Sequence, residues 1–135
     1  MSKIFVPLLA AVVLFTAAGA SLAQQSAAPP SNIKRTPLQK VDIPGTSYET
    51  VTAIAEVAPG ANAGRHTHPG PETGYVIEGD MVLMIDGQPA KPLKAGDSYQ
   101  IPSGSVHDVK AGDKGMKVMA VYMVEKGKPI ASPAP

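Results

Sequence analysis

Apolar and polar residues alternate along much of the chain between residues 34 and 128. The alternation is clearest in residues 51–57, VTAIAEV, and in residues 116–124, MKVMAVYMV. Successive side chains of a β-strand point to opposite faces of the sheet, so this period of two predicts half-buried strands. After the apolar N-terminal segment, no ten-residue run has the spacing of an amphipathic helix. The pattern therefore predicts an all-β domain.

Glycine and proline pairs separate these predicted strands at short intervals. Pro-Gly pairs fall at residues 44–45, 59–60 and 69–70, and pairs of glycine and aspartate fall at residues 79–80, 86–87 and 96–97. Many short strands joined by tight turns are typical of a sandwich or barrel. The pair Asp86-Gly87 also predicts a β-hairpin in which both loop positions have positive φ, because Asp and Gly tolerate that conformation.

The N-terminal segment has the pattern of a secretory signal peptide. Lys3 precedes an apolar run from Ile4 to Ala20, and residues 21–23, Ser-Leu-Ala, form a small-x-small cleavage pattern. The alternative is an uncleaved membrane anchor, but polar and small residues interrupt the run, which is short for a bilayer span. We therefore predict a signal peptide at residues 1–23 and a periplasmic or secreted protein that has no membrane attachment after cleavage.

Two further segments are too polar or too rich in proline to join a core. Residues 24–33 are predicted to be a disordered linker, and residues 129–135, PIASPAP, are predicted to be a disordered proline-rich tail. Residues 34–128 are then the folded domain, which is long enough for one hydrophobic core.

Composition excludes several classes of function. The chain has no cysteine, which excludes disulfides, thiolate metal sites and a cysteine nucleophile. Of the 12 basic residues only Lys3 lies in the predicted signal peptide, and none of the 11 acidic residues does, so the remainder has 11 of each. This balance lacks the basic surface that nucleic-acid binding needs. A small-molecule ligand or substrate is the expected partner.

Histidine is the residue type that indicates chemistry. The protein has three histidines, and His66 and His68 are separated by one residue, so on a strand their imidazoles point to the same side. Glu72 follows a Pro-Gly-Pro turn that can return its carboxylate to that side, and His107 comes from a separate segment. Three imidazoles and a carboxylate are suitable ligands for a divalent metal ion.

Other residues have simpler interpretations that compete with a role in chemistry. Two histidines one residue apart on a loop can be ordinary polar surface, and a buried histidine is often only hydrogen-bonded. Arg65 precedes His66, so on a regular strand its side chain points away from that of His66 and is expected to be solvated. The alternative is that it binds an anionic ligand. Four residues could line the pocket and position a substrate or move a proton, but packing in the core or at an edge is expected for them: Glu78, Tyr75, Tyr99 and Tyr122. Five methionines could indicate copper handling, but they lie on alternating apolar strands and are expected to pack in the core: Met81, Met84, Met116, Met119 and Met123.

The spacing of glycine and proline around the histidines resembles the two motifs of the cupin family. The first motif is matched by Gly60, His66, His68, Glu72 and Gly79, and the second by Gly96, Pro102, Gly104 and His107. The asparagine that usually ends the second motif is Ala111 here, which puts local geometry in doubt but no metal ligand. Sixteen residues separate Gly79 from Gly96, as in compact single-domain cupins.

The resemblance implies a small cupin β-barrel of the double-stranded β-helix, or jelly-roll, type over residues 34–128. It assigns His66, His68, Glu72 and His107 as ligands of one divalent metal ion, which can be Fe, Mn, Ni, Cu or Zn. Cupins commonly form homodimers, and a homodimer is therefore expected. No particular metal follows from the sequence, because imidazole and carboxylate suit all five.

Three functions are compatible with this resemblance. The first is a mononuclear dioxygenase-like enzyme for a small oxygen-bearing substrate, in which Glu72 is the candidate acid or base. The second is a metal-dependent isomerase or lyase, and the third is a non-catalytic module that binds or senses a small molecule. A fold does not choose among these functions.

Overall fold

The computed structural model describes residues 32–135, and the predicted signal peptide and most of the predicted linker lie outside these residues. Eight strands form this part of the protein. They are β1 (Ile33–Asp42), β2 (Tyr48–Val57), β3 (His66–Thr67), β4 (Glu72–Ile85), β5 (Lys91–Lys94), β6 (Ser98–Ile101), β7 (His107–Glu125) and β8 (Ser132–Pro133). None of the described residues belongs to a helix that is long and apolar enough to cross a membrane.

The strands form one curled antiparallel sheet around the long strand β7. This strand pairs with β2, β3 and β4, and β1 continues the sheet beyond β2. Strands β5 and β6 pair with the two ends of β4, and β8 pairs with β3. The predicted all-β barrel architecture is confirmed. Because β7 is shared, residues far apart in the sequence meet inside the curl.

The inner face of the sheet is the hydrophobic core, and it follows the predicted alternation. On β2 and β7 every second residue is buried, including Val51, Val57, Val118 and Val124. Several inner positions hold alanine, namely Ala53, Ala55 and Ala120, each at most 1% exposed. An alanine fills little volume, so it leaves space in the interior for the larger polar side chains described below.

The outer face of the sheet carries residues that we had expected in the core. Met119 and Met123 are 40% and 42% exposed, whereas Met81 and Met116 are buried. Tyr75, opposite Met119 in the β4–β7 pairing, is also exposed. The prediction that all the methionines pack in the core was therefore wrong, because Met119 and Met123 occupy positions of β7 whose side chains point outward.

The C-terminal segment is not the disordered tail predicted for residues 129–135. Ser132–Pro133 form β8 and pair with His66–Thr67 of β3. Ile130 packs against the core, and the backbone N–H of Ala134 donates to the carbonyl of Arg65 at 3.0 Å. The prediction relied on proline content, but β3 has a free edge whose backbone groups need partners, and this segment supplies them.

The predicted Asp86-Gly87 turn joins β4 to β5, but its geometry differs from the prediction. The backbone N–H of Gln88 donates to the carbonyl of Ile85 at 3.0 Å. Of the two loop residues, Gly87 has positive φ, at 76°, and Asp86 does not, since every positive φ in the described chain is at a glycine. This is the pattern of a type II turn, which needs glycine at one central position rather than two.

Candidate metal centre

The three histidines meet where β3 lies beside the start of β7. His66 begins β3 and pairs with His107, the first residue of β7, while His68 follows directly after β3. The ring centroids are 4.2 to 5.0 Å apart. All three side chains are buried, as the shared parity of residues 66 and 68 predicted.

A backbone carbonyl fixes the orientation of each imidazole. Nδ1 of His66 lies 2.6 Å from the oxygen of Gly64, and Nδ1 of His107 lies 2.9 Å from that of Ser105. Nδ1 of His68 lies 2.6 Å from the oxygen of Ile130, in the C-terminal segment. A carbonyl oxygen only accepts hydrogen bonds, so each Nδ1 carries a proton, and Nε2 is the ring nitrogen left to bind a metal ion.

This arrangement fits a divalent metal ion. One ring nitrogen from each histidine lies within 4.8 Å of the other two. Histidines that bind metals typically donate their second N–H to a carbonyl or carboxylate, which sets the tautomer and the direction of the ligating lone pair. The second ring nitrogen of each histidine is thereby left to bind a cation at the cluster. The donor set suits iron, manganese, nickel, copper or zinc.

Glu72 lies beside the three-histidine cluster, at the start of β4. Its Oε2 is 2.8 Å from Nε2 of His68, and it is 5% exposed. Despite this short distance, Nε2 of His68 has no hydrogen-bond partner of acceptable geometry. Nε2 of His68 and Oε2 of Glu72 are therefore close enough to share a cation between them.

Tyr99 holds the other oxygen of Glu72. Its hydroxyl donates to Oε1 of Glu72 at 2.8 Å, and the ring is 5% exposed. The ring lies against Gly74, its partner in the β4–β6 pairing, where any Cβ would overlap the ring and hydroxyl. Tyr99 is therefore buried, as expected, and it also contacts Glu72, which the sequence did not show because this contact depends on pairing between β4 and β6.

Arg35 and Tyr122 complete the surroundings, and sequence reasoning missed Arg35. Its Nη2 lies 3.0 Å from Nε2 of His66, and its Nε donates to the hydroxyl of Tyr122 at 3.4 Å. The ring of Tyr122 lies 4.9 Å from that of His68. The signal that could have identified Arg35 is its parity with Ile33, since both point inward from β1.

Arg65 and Glu78 lie away from the histidine cluster. Arg65 forms an exposed ion pair with Asp86 at 2.7 Å, which agrees with the interpretation that it points away from His66. Glu78 is exposed and lies 3.5 Å from Lys117. Neither residue has a place in the cavity that His66, Glu72 and His107 line.

Burial controls the ionisation of these groups. Burial lowers the pKa of His66 to about 4 and lowers that of His107 as well. Burial raises the pKa of Glu72, but the adjacent His68 and the Tyr99 hydroxyl outweigh it and hold that pKa below its ordinary value. Neutral imidazoles at His66 and His107 and an ionised carboxylate at Glu72 are the protonation states in which these side chains bind metals.

These pKa shifts predict that the metal-free protein becomes more stable as pH rises from about 4 to 6.5. In this interval an unfolded histidine binds a proton that folded His66 does not bind, so acid favours unfolding. Glu72 acts in the same direction at lower pH, because its folded pKa is lowered. Urea midpoints of chelator-treated protein across this range measure the effect.

The matched control for this pH dependence is His66→Gln, which removes one titrating group and keeps a polar side chain. Its urea midpoint is expected to depend less steeply on pH than that of the wild type. Identical slopes in the two proteins would show that His66 is not the source of the effect.

Comparison with known proteins identifies the family. The profile of the Cupin domain family matches residues 53–122, which include all three histidines, Glu72 and Tyr99. The chain belongs to this family. The matched segment runs from β2 to Tyr122 of β7, so it spans the strands that position the site but not β1, which carries Arg35.

Several proteins are similar to this chain. Dimethylsulfoniopropionate lyase DddW of Ruegeria pomeroyi is 35% identical over 69 residues, which cover 51% of this chain and 45% of the lyase. The chain thus aligns with less than half the length of this relative.

The crystal structure of DMSP lyase DddQ from the same organism has a TM-score of 0.63 at 17% identity, covering 76% of this chain and 52% of that one. A protein with a double-stranded β-helix domain from Klebsiella pneumoniae has a TM-score of 0.60 at 23% identity, covering 79% and 90%.

Proposed function

We propose that this protein is a metal-dependent lyase that acts on a small oxygen-bearing substrate. The observation that carries the proposal is the cluster of three buried imidazoles beside the Glu72 carboxylate, each oriented by a carbonyl at Nδ1. His66, His68, His107 and Glu72 would hold one divalent ion. Such an ion supplies Lewis acidity, which polarises an oxygen of the substrate.

The residues around the ion indicate how the chain itself would take part. Glu72 is ionised, so in proton transfer it can only accept a proton, and the Tyr99 hydroxyl keeps its carboxylate in place. Burial, with the charge of Glu72, raises the pKa of Tyr122 to about 12, so this hydroxyl is protonated and can donate a hydrogen bond to a substrate oxygen. The apolar inner face excludes water around them.

The 35% identity to a dimethylsulfoniopropionate lyase supports a lyase over the dioxygenase-like alternative. In an elimination the C–H bond next to the activating group breaks, its proton passes to a base such as the Glu72 carboxylate, a C=C bond forms from the C–H electron pair, and the leaving group departs with its own electron pair. This reaction consumes no oxidant. A dioxygenase acting in the same barrel would instead consume O₂, so the two functions differ in a measurable co-substrate.

The test is to load the purified protein separately with Fe(II), Mn(II), Ni(II), Cu(II) and Zn(II). Each form is then incubated with dimethylsulfoniopropionate and with a panel of enols, diketones and flavonols. Release of an unsaturated product without oxygen uptake is expected with at least one metal. Oxygen uptake would favour the dioxygenase-like function. Saturable binding without turnover of any compound would favour a binding or sensing module.

Two further properties belong to the same proposal. We infer export to the periplasm, or secretion, from the signal-peptide pattern of residues 1–23, and homodimer formation from the cupin family. The exposed apolar outer face at Tyr75, Met119 and Met123 offers a surface for a second copy. N-terminal sequencing of the protein from an exporting host tests the cleavage, and light scattering tests the dimer.

A further inference from the structure

We propose that Arg35 is a carboxylate-binding residue, so that the ligand of this site is a small carboxylate that contacts Arg35 and the metal centre together. The inference rests on the proposed metal centre and adds a substrate class to it. Arg35 lies outside residues 53–122, the segment that the family profile covers.

The backbone directs Arg35 into the barrel. On β1, residues 33 and 35 point inward, and Arg35 is paired with Ala55 of β2. Ala55 is 1% exposed and has only a methyl group, so the long arginine side chain can cross above it to the histidines. The guanidinium then lines the same cavity as His66, Glu72 and His107.

Arg35 has no acidic partner of its own. Among residues 32–135, no carboxylate lies within ion-pair distance of its guanidinium, whereas Arg65 has Asp86 at 2.7 Å. Glu72, the acid in the cavity, is occupied by Tyr99 at 2.8 Å and by His68 at 2.8 Å. A half-buried positive charge without a counter-ion is costly, so the missing anion is expected to come from a ligand.

The geometry of the guanidinium favours a carboxylate. A guanidinium has five N–H donors in one plane, and the contact of Arg35 with Tyr122 uses one of them. The contact with Nε2 of His66 uses a second, and it would be given up when that nitrogen binds the ion, because Nε2 has a single lone pair. The remaining donors can form two parallel hydrogen bonds to a carboxylate. Because Nη2 is 3.0 Å from Nε2 of His66, an anion on Arg35 also lies beside the proposed ligands of the metal. An uncharged amide of the same shape should bind poorly.

The experiment compares propionate with its neutral analogue propionamide. Binding of each to the zinc-loaded full-length chain is measured by NMR titration in the wild type, Arg35→Met and Arg35→Lys. Arg35→Met is expected to weaken propionate binding at least about tenfold, because one charge-assisted hydrogen-bonded pair is lost. Propionamide binding and zinc content should not change, and Arg35→Lys should recover part of the affinity.

Lys34→Met is the matched control, because it removes the same charge from the outer side of the same strand, where Lys34 is 77% exposed. It should bind propionate as the wild type does. Equal propionate affinity in wild type and Arg35→Met, equal losses for both compounds, or no propionate binding by the wild type would overturn the proposal. If Arg35→Met fails to fold by circular dichroism, the comparison of Arg35→Lys with the wild type decides.

These results separate the inference from the proposed function. A wild type that binds no zinc contradicts the metal centre, and the same titration of the metal-free chain then still decides whether Arg35 binds the carboxylate. Arg35-dependent binding of propionate without turnover of any compound in the metal-loaded panel contradicts the lyase but leaves the carboxylate site intact.

Discussion

Replacing His68 and Glu72 together by alanine is expected to reduce bound metal from about one ion per chain to less than about a tenth of that. The two side chains approach at 2.8 Å, and each lies next to the proposed ion. The double variant removes an imidazole and the carboxylate that supplies negative charge. Elemental analysis after dialysis against each metal measures the loss.

The same variant should also lose the rise in melting temperature that metal gives the wild type, because a ligand stabilises only the state that binds it. Lys110→Ala, an exposed change on β7, is the control and should keep both metal and the metal-dependent stabilisation. Stoichiometric metal in the double variant would show that the ion lies elsewhere.

Deleting residues 129–135 is expected to weaken metal binding by about 10-fold to 100-fold, the usual cost of losing a group that orients a metal-binding histidine. The deletion removes the Ile130 carbonyl from Nδ1 of His68 and strand β8 from β3. His68 can then rotate or adopt the other tautomer, so its Nε2 lone pair is no longer directed at the cluster. Competition with a metal-binding dye measures the affinity.

Two variants separate this effect from a general loss of stability. Deleting only residues 134–135 keeps β8 and the Ile130 carbonyl, so metal affinity should stay close to that of the wild type. Ile130→Ala keeps the backbone carbonyl and removes only apolar packing, and it should lower the melting temperature more than the metal affinity. Unchanged affinity after the longer deletion would contradict the role of Ile130.

The sequence predicted those parts of the molecule that depend on parity within one strand. Alternation in residues 51–57 and 116–124 identified the buried faces of β2 and β7, and the one-residue spacing of His66 and His68 placed both imidazoles on one side. Parity is a local property of an extended backbone, so it can be read directly from residue order.

The contacts that depend on pairing between distant strands could not be predicted in this way. Tyr99 reaches Glu72 because β6 lies next to β4, and Arg35 reaches His66 because it points inward from β1, which pairs with β2. The C-terminal segment was judged by its prolines, although its order depends on the unpaired edge of β3. Register and edge pairing arise from tertiary structure, and residue order alone does not specify them.

The sharing of β7 by β2, β3 and β4 has a consequence for how this protein folds. Most residue pairs that are in contact in the structure are far apart in the sequence. In the β2–β7 pairing, for example, Val57 lies opposite Met116. Folding therefore has to close long loops before much favourable contact is made, which slows it. His66 and His107 become neighbours only when the β3–β7 pairing forms. Metal capture should then come late in folding, and the ion should mainly slow unfolding.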